Sequence, residues 1–484
     1  MENKVQLITY VDRLGCENIQ GLNTLLQNQL KGLFGGVHIL PFYYPIDGED
    51  AGFDPIDHKK IDERLGNWND LRTLSDNVDV MADLIVNHMS AQSVEFQDFL
   101  ENGEDSEYAA LFLTFDKVFP NGATEKELVK IYRPRPGFPF AKMKLKSGEE
   151  RLIWTTFTTN QIDIDVHSTK GKAYLEGILN KLQKSGVNMI RLDAAGYAIK
   201  KAGTSCFMID ETFNFIDQLT LKCKEMGISV LVEIHSFYKT QIEIAKKVDF
   251  VYDFALPVLV LDTLFNANAK NLKNWLAVSP RNAITVLDTH DGIGIIDVAS
   301  EKGQNGLIDD EALDTIVERM HTNSRDTSRK ATGEAASNLD LYQVNCTYFE
   351  ALGRDENAYL IARAIQFFVP GIPQVYYVGL FAGENDMGLL SKTNVGRDIN
   401  RHYYSLEEIG NQMVTPFFDK FKKLMVFRNT HVAFNGNFNL LESSEEILKI
   451  RWEKESDWAE LVLDLHSMDL KISFSTENGY NSLF

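Results

Sequence analysis

Cysteine is scarce in this chain: four among 484 residues, Cys16, Cys206, Cys223 and Cys346, with no CxxC pair. A disulfide frame is therefore excluded, and a reducing compartment is expected. Long apolar runs are missing too. No stretch of about 18 apolar residues occurs, so no transmembrane helix is expected. The N-terminal MENKVQLITY carries no signal-peptide core, which adds to the expectation of a cytoplasmic protein. Basic residues are short by twenty: 49 Lys and Arg face 69 Asp and Glu, for a net charge of −20. That field repels polyanions and argues against a nucleic-acid partner. It also opposes small anionic substrates, so a phosphate site here needs local arginines. Internal repeats and low-complexity tracts are absent.

What is present is ordinary for a globular protein, with 44% hydrophobic and 24% charged residues. This excludes disorder and fibrous structure. At this length about three quarters of the chain's surface can be buried, so a core needs neither disulfides nor a structural metal.

Eight short β-rich runs alternate with amphipathic helical stretches: Val5–Val11, Gly36–Phe42, Val80–Val86, Val187–Leu192, Ser229–Ile234, Asp249–Phe254, Ala283–Leu287 and Gln374–Val378. Several are nearly continuous apolar strings, such as VHILPF, ADLIVN and NMIRLD. Such strings fit strands buried on both faces of a parallel sheet. Eight βα repeats predict an α/β fold of the (β/α)8 TIM-barrel type. A doubly wound open sheet is the competing topology, because strand count alone does not close a barrel.

Two gaps exceed a simple crossover, and both are expected as insertions at the C-terminal ends of strands. The expected organisation is 1–88 as the first part of the barrel, 89–167 as an insertion after the third strand, and 168–291 as barrel continued. Then follow 292–350 as an insertion after the seventh strand and 351–434 as the barrel end. Residues 435–484 alternate (ILKIRWE, AELVLDLH, LKISFS) and predict a small antiparallel β domain.

The informative pattern is where charge falls. Asp193 follows NMIRL, Glu233 follows SVLV, His290 and Asp291 follow ITVLDT, and His88 follows DLIVN. Each stands at or just past the end of a buried strand, the catalytic face of a barrel. Carboxylates converging on one mouth are costly to bury, and they suggest chemistry. Glycosyl transfer is one answer. A retaining mechanism takes two carboxyl groups about 5 Å apart, one as nucleophile and one as acid and base. Arg191 shares a strand face with Asp193 and would hold it ionised, while Glu233 would need a raised pKa to act as the acid. The other answer is a metal site, with Asp193, Glu233 and Asp253 holding Mg²⁺. The cation of Arg191 stands against it.

DLIVNH (Asp83–His88), RLDAAGY (Arg191–Tyr197), VEIHS (Val232–Ser236) and LDTHDG (Leu287–Gly292) resemble, in order, the four signatures of the α-amylase superfamily of retaining glycosidases and transglycosidases. QIDIDV (Gln161–Val166) resembles its fifth. Further segments resemble the sucrose phosphorylase family within it: Asp50–Gly66, IYRPRPGFPF (Ile131–Phe140), AGTSCF (Ala202–Phe207), ASNLDLYQVN (Ala336–Asn345), GIPQVYYVG (Gly371–Gly379) and GRDINRHYY (Gly396–Tyr404). This similarity spans residues 5–430.

The resemblance implies Asp193 as nucleophile, Glu233 as general acid and base, and Asp291 as transition-state stabiliser. It implies that Asp50, His88, His290 and Arg397, with Arg191 beside them, fix a glucosyl unit against an apolar wall of Phe53 and Phe157. Arg135, Tyr342 and Gln343 would sit on loops over the acceptor site, with Arg135 facing phosphate and Asp340 facing fructose in turn. The implied substrates and products are sucrose, inorganic phosphate, α-glucose 1-phosphate and fructose. The calcium-binding pattern common in α-amylases is not evident, so no metal and no cofactor are expected. The close alternatives are phosphorylases of sucrose 6′-phosphate, glucosylglycerol or glucosylglycerate, and a sucrose hydrolase or transglucosidase. A catalytically dead binding protein would have lost members of the Asp193, Glu233 and Asp291 set. A homodimer is compatible with the sequence, which does not require one.

Overall fold

The computed structural model describes residues 1–48, 50–134, 137–301, 303–332, 343–477 and 479–484. Eight parallel strands close into a barrel: β1 (Gln6–Thr9), β2 (Gly36–Ile39), β3 (Asp79–Ile85), β4 (Met189–Asp193), β5 (Ser229–Val232), β6 (Phe250–Asp253), β7 (Ala283–Thr285) and β8 (Ile372–Tyr376). Neighbours follow chain order, and β8 returns to β1 with Gln6 opposite Gln374. Closure excludes the open-sheet alternative. Each strand lies within or next to its expected apolar run, offset by a few residues at either end.

Helices shield the outside of the barrel. The Thr169–Lys184 helix shows why they form. Ser168 caps it by accepting from the Gly171 N–H, and Tyr174, Leu175, Ile178, Leu179 and Leu182 recur at helical spacing on its buried face. Inside the barrel the side chains form layers, as strand alternation requires. Met81, Met189, Leu231, Tyr252, Ile284 and Ile372 make a closed apolar cluster. Two residues further along their strands come Asp83, Arg191 and Glu233, and a further two along β4 comes Asp193. The apolar layer plugs the barrel, so the charged residues are forced to the C-terminal mouth.

Between β3 and β4, residues His88–Ser90 pair antiparallel with Gln161–Asp163, and Phe140–Lys144 with Glu150–Trp154. Between β7 and β8, Ile293–Gly294 pairs with Gln343–Val344. The chain ends in a five-stranded antiparallel sheet, β9 (Asn437–Leu440), β10 (Ile447–Lys454), β11 (Asp457–Asp464), β12 (Asp469–Thr476) and β13 (Gly479–Ser482). It leans on the barrel, with the Trp452 indole donating to the Phe368 carbonyl at 2.7 Å. All four cysteines are buried and unpaired. No helix among the described residues is long and apolar enough to cross a membrane.

Candidate active site

One pocket opens at the C-terminal mouth of the barrel. Asp50, Phe53, His88, Phe157, Asp193, Glu233, His290, Asp291, Gln343 and Arg397 all line it, with Tyr132, Gln161, Tyr197, Phe207 and His235. It is concave and lined by converging polar groups beside aromatic rings, the form of a small-molecule site. Residues some 350 positions apart are thus brought together by loops leaving six different strands. Arg135, Asp340 and Tyr342 lie outside the described residues.

Arg191 forms the floor. Its Nη1 contacts Asp193 Oδ1 at 3.2 Å, and its Nη2 reaches Glu233 Oε1 at 2.8 Å. Its Nη1 also pairs with Asp83, whose other oxygen lies 3.0 Å from His38 Nε2. Asp83 and His38 are fully buried in the barrel interior. Asp83 stays ionised there: burial works against it, but Arg191 and His38 hold its carboxyl down at about 2.

Asp193 behaves differently from the expectation. One guanidinium is spread over three carboxylates, so burial and the Glu233 charge outweigh it and push the Asp193 carboxyl well above the usual range. The two carboxyl groups share one guanidinium fork on adjacent strand ends, an arrangement that fits a retaining pair.

Asp291 has the opposite environment. Burial alone would raise it, but Arg397, at 2.8 Å, then His290, Arg191 and Arg401 hold its carboxyl well below the ordinary carboxylate range. Asp50 lies within ion-pair reach of Arg397 at 3.9 Å and Arg401 at 3.7 Å. Burial keeps His88 below its ordinary value and His290 down at about 3. Both are neutral donors or acceptors near pH 7, suited to hydroxyl groups. His88 Nε2 donates to the Phe53 carbonyl at 3.0 Å. The Phe157 ring meets His88 edge-on at 5.4 Å and Tyr197 at 5.1 Å. Tyr132 and Phe207 stack at 4.5 Å beyond it.

The Mg²⁺ alternative does not assemble. Asp253 sits on the outward face of β6 and accepts from the Trp275 indole at 3.0 Å and the Leu256 N–H at 3.1 Å. Strand alternation turns it away while Tyr252 and Phe254 face inward. Among the described residues, Glu233, His235 and Asp291 bring metal-ligand atoms within 4.8 Å of one another. Arg191 and Arg397 already neutralise two of the three, which opposes a cation there.

Several residues in or behind the pocket had not been singled out as functional. Asp83, Tyr197, Gln161 and Phe207 lay unremarked within quoted motifs. Arg401 likewise lay unremarked within GRDINRHYY, and Lys200 gave no signal at all. Lys200 Nζ pairs with buried Asp163 at 2.8 Å and donates to Asn87 Oδ1 at 2.8 Å, bracing the loop that carries His88.

A closed parallel barrel with carboxylates on adjacent strand ends and a guanidinium beneath defines an α-amylase-type, glycosyl-transferring enzyme. Residues 18–218 match the alpha amylase catalytic-domain family. The chain is 59% identical over 464 residues to a sucrose phosphorylase of Agrobacterium vitis, covering 96% of this chain and 95% of that one. It is 52% identical over 467 residues to a sucrose phosphorylase of Bifidobacterium adolescentis, covering 96% and 92%. The crystal structure of a sucrose 6F-phosphate phosphorylase from Thermoanaerobacter thermosaccharolyticum superposes with a TM-score of 0.91 at 39% identity, over 100% of this chain and 97% of that one. This chain belongs to the sucrose phosphorylase family.

Proposed function

We propose that the protein transfers the α-glucosyl group of sucrose to inorganic phosphate, giving α-D-glucose 1-phosphate and D-fructose. The observation that carries this is the Asp193–Arg191–Glu233 bridge in a chain so closely related to sucrose phosphorylases. One guanidinium spanning both carboxylates fits the short spacing of a retaining pair, about 5 Å.

In the first half, an Asp193 oxygen attacks C1 of the glucosyl ring. The C1–oxygen bond to fructose breaks, and the proton of Glu233 passes to the departing oxygen. In the second half, a phosphate oxygen attacks C1 from the vacated face. The ester bond to Asp193 breaks, and the phosphate's proton returns to Glu233. Two inversions give net retention. Asp291, ionised by its arginine neighbours, offsets the positive charge that spreads over C1 and the ring oxygen. Asp50, His88, His290 and Arg397 hold the glucosyl hydroxyls, and Phe53 and Phe157 form the apolar side. Residues 89–167 and 292–350 act as the insertions that shape the acceptor side. The scarcity of cysteine and of apolar runs supports a cytoplasmic location, and the net charge supports small-molecule partners rather than nucleic acid.

The test is incubation of the purified protein with sucrose, with and without phosphate, and assay of glucose 1-phosphate and glucose. Phosphate-dependent glucose 1-phosphate with little glucose is expected. Glucose alone would overturn the phosphorylase reading. A large preference for sucrose 6′-phosphate would move the substrate to that of the superposed relative.

A further inference from the structure

One imidazole intrudes on the apolar layer that plugs the barrel. His38 on β2 pairs with Met81 on β3, so both face the interior beside Met189 and Leu231. It is fully buried and does not line the pocket. A methionine or leucine would fill this space with no polar atom to satisfy. The imidazole is satisfied on one side only. Its Nε2 donates to Asp83 Oδ2 at 3.0 Å, while Nδ1 is buried with no partner. A bond kept although it leaves a bare nitrogen buried directs attention to the partner it serves.

That partner, Asp83, is fully buried as well. Its main chain is fixed, the carbonyl accepting from the Tyr43 hydroxyl at 2.6 Å. Its carboxylate is divided: Oδ2 takes His38, and Oδ1 takes Arg191 Nη1. The same guanidinium meets Asp193 Oδ1 at 3.2 Å and Glu233 Oε1 at 2.8 Å. A chain of polar contacts thus runs from β2 through β3 and β4 to the two strand-end carboxyl groups. Burial first, then the Glu233 charge, raises the Asp193 carboxyl; Arg191 lowers it, and Asp83 raises it further. How fully the Asp83 charge is satisfied is therefore felt at Asp193.

We infer that His38 is a positioning residue of the glucosyl-transfer site: by holding one oxygen of Asp83 it aims the other at Arg191, and so sets the fork on which Asp193 and Glu233 rest. The inference rests on the reading of Asp193 as nucleophile. The groups around Asp83 are His38 from β2, Tyr43 from the segment after β2, Arg191 from β4, Tyr252 from β6 and His290 from the loop after β7. Asp193 faces Glu233, Arg191, Asp83 and, from the loop after β7, Asp291.

The experiment follows kcat/KM for sucrose against pH, whose acid limb reports ionisation of the nucleophile in the free enzyme. The limb's position does not depend on how much enzyme is folded, over the range where each variant's circular dichroism is constant. His38→Met leaves an Asp83 oxygen unshared, so more of that charge bears on Asp193. The limb is expected to move up by about 0.5–1 pH unit, and kcat to fall by about tenfold with KM little changed. His38→Gln can donate to the same oxygen and is expected to return the limb most of the way. In Asp83→Asn protein the limb should move down, and adding His38→Met should leave it there. If the methionine variant does not fold, His38→Asn, whose shorter amide falls short of Asp83, takes its place with the same expectation. A limb that keeps its wild-type position, or that moves equally with and without Asp83, overturns the inference while the phosphorylase reading stands. Wild-type protein that turns over no sucrose overturns that reading instead.

Discussion

Phe53 and His290 lie face to face, with ring centroids 4.9 Å apart and planes within 7° of parallel. The stack joins the loop after β2 to the loop after β7, and it is tied to the loop after β3 because the Phe53 carbonyl accepts from His88. The Arg191 guanidinium lies 5.5 Å from the same ring. One residue thus meets two neutral histidines, His290 through its ring and His88 through its main-chain carbonyl, and its ring caps the charged floor.

Phe53→Leu keeps an apolar side chain but removes the stack and the ring's negative face. An aromatic pair contributes about 1 kcal/mol beyond its burial, and cation–π attraction adds a similar amount. The expected result is a fall of roughly 10- to 30-fold in kcat/KM for sucrose. The melting temperature should move by only a few degrees. A variant with wild-type kcat/KM would remove Phe53 from the site.

The Asp193 carboxyl is raised in the folded protein. A raised carboxyl contributes stability at low pH that is lost as pH climbs through its folded value. Between the ordinary carboxylate range and neutrality, this group therefore destabilises the fold increasingly as pH rises. Asp193→Asn removes that strain and, on the proposed mechanism, the nucleophile as well. It should abolish glucosyl transfer and raise the melting temperature at pH 7 by a few degrees, with a smaller gain at pH 5. Calorimetry at the two pH values checks the sign.

Much of this was legible in the sequence because strand alternation is local. The buried run Met189–Leu192 places Asp193 at its end, and a two-residue step back places Arg191 on the same face. What stayed hidden depends on register between distant strands. His38 reaches Asp83 only because β2 pairs with β3, with His38 opposite Met81. The Tyr132–Phe207 stack joins two loops 75 residues apart. Asp253 reads as one more strand-end carboxylate, but it ends its strand on the outward face. The burial of Asp193 beside Glu233, which outweighs the charge of the Arg191 they share, likewise needs the assembled barrel.

Lys200 and Asp163 form an ion pair with both side chains buried. Asp163 also accepts from the Thr156 N–H at 3.0 Å and from the Asn87 amide at 3.2 Å. Lys200→Met leaves a buried carboxylate without its cation, at a cost of about 3–5 kcal/mol. Lys200→Met with Asp163→Asn removes both charges and should recover much of that loss. Chemical denaturation of the two variants separates the pair's effect from that of lost packing. Because Asn87 adjoins His88, the single variant should also raise KM for sucrose.

Arg401 is buried behind the pocket, its Nε donating to the His290 carbonyl at 3.0 Å and its Nη2 lying 3.7 Å from Asp50. It therefore orients one pocket-lining histidine through the main chain and one carboxylate through charge, without lining the pocket itself. Lysine keeps the charge but not the planar fork, so it cannot serve both directions at once. Arg401→Lys is expected to lower kcat/KM for sucrose by about 10- to 100-fold, or roughly 1.4–2.7 kcal/mol. Arg401→Met removes the charge as well and should lose more activity and several degrees of melting temperature. Equal kinetics in the lysine variant and wild type would show that charge alone suffices, and that the bond to His290 does not align the site.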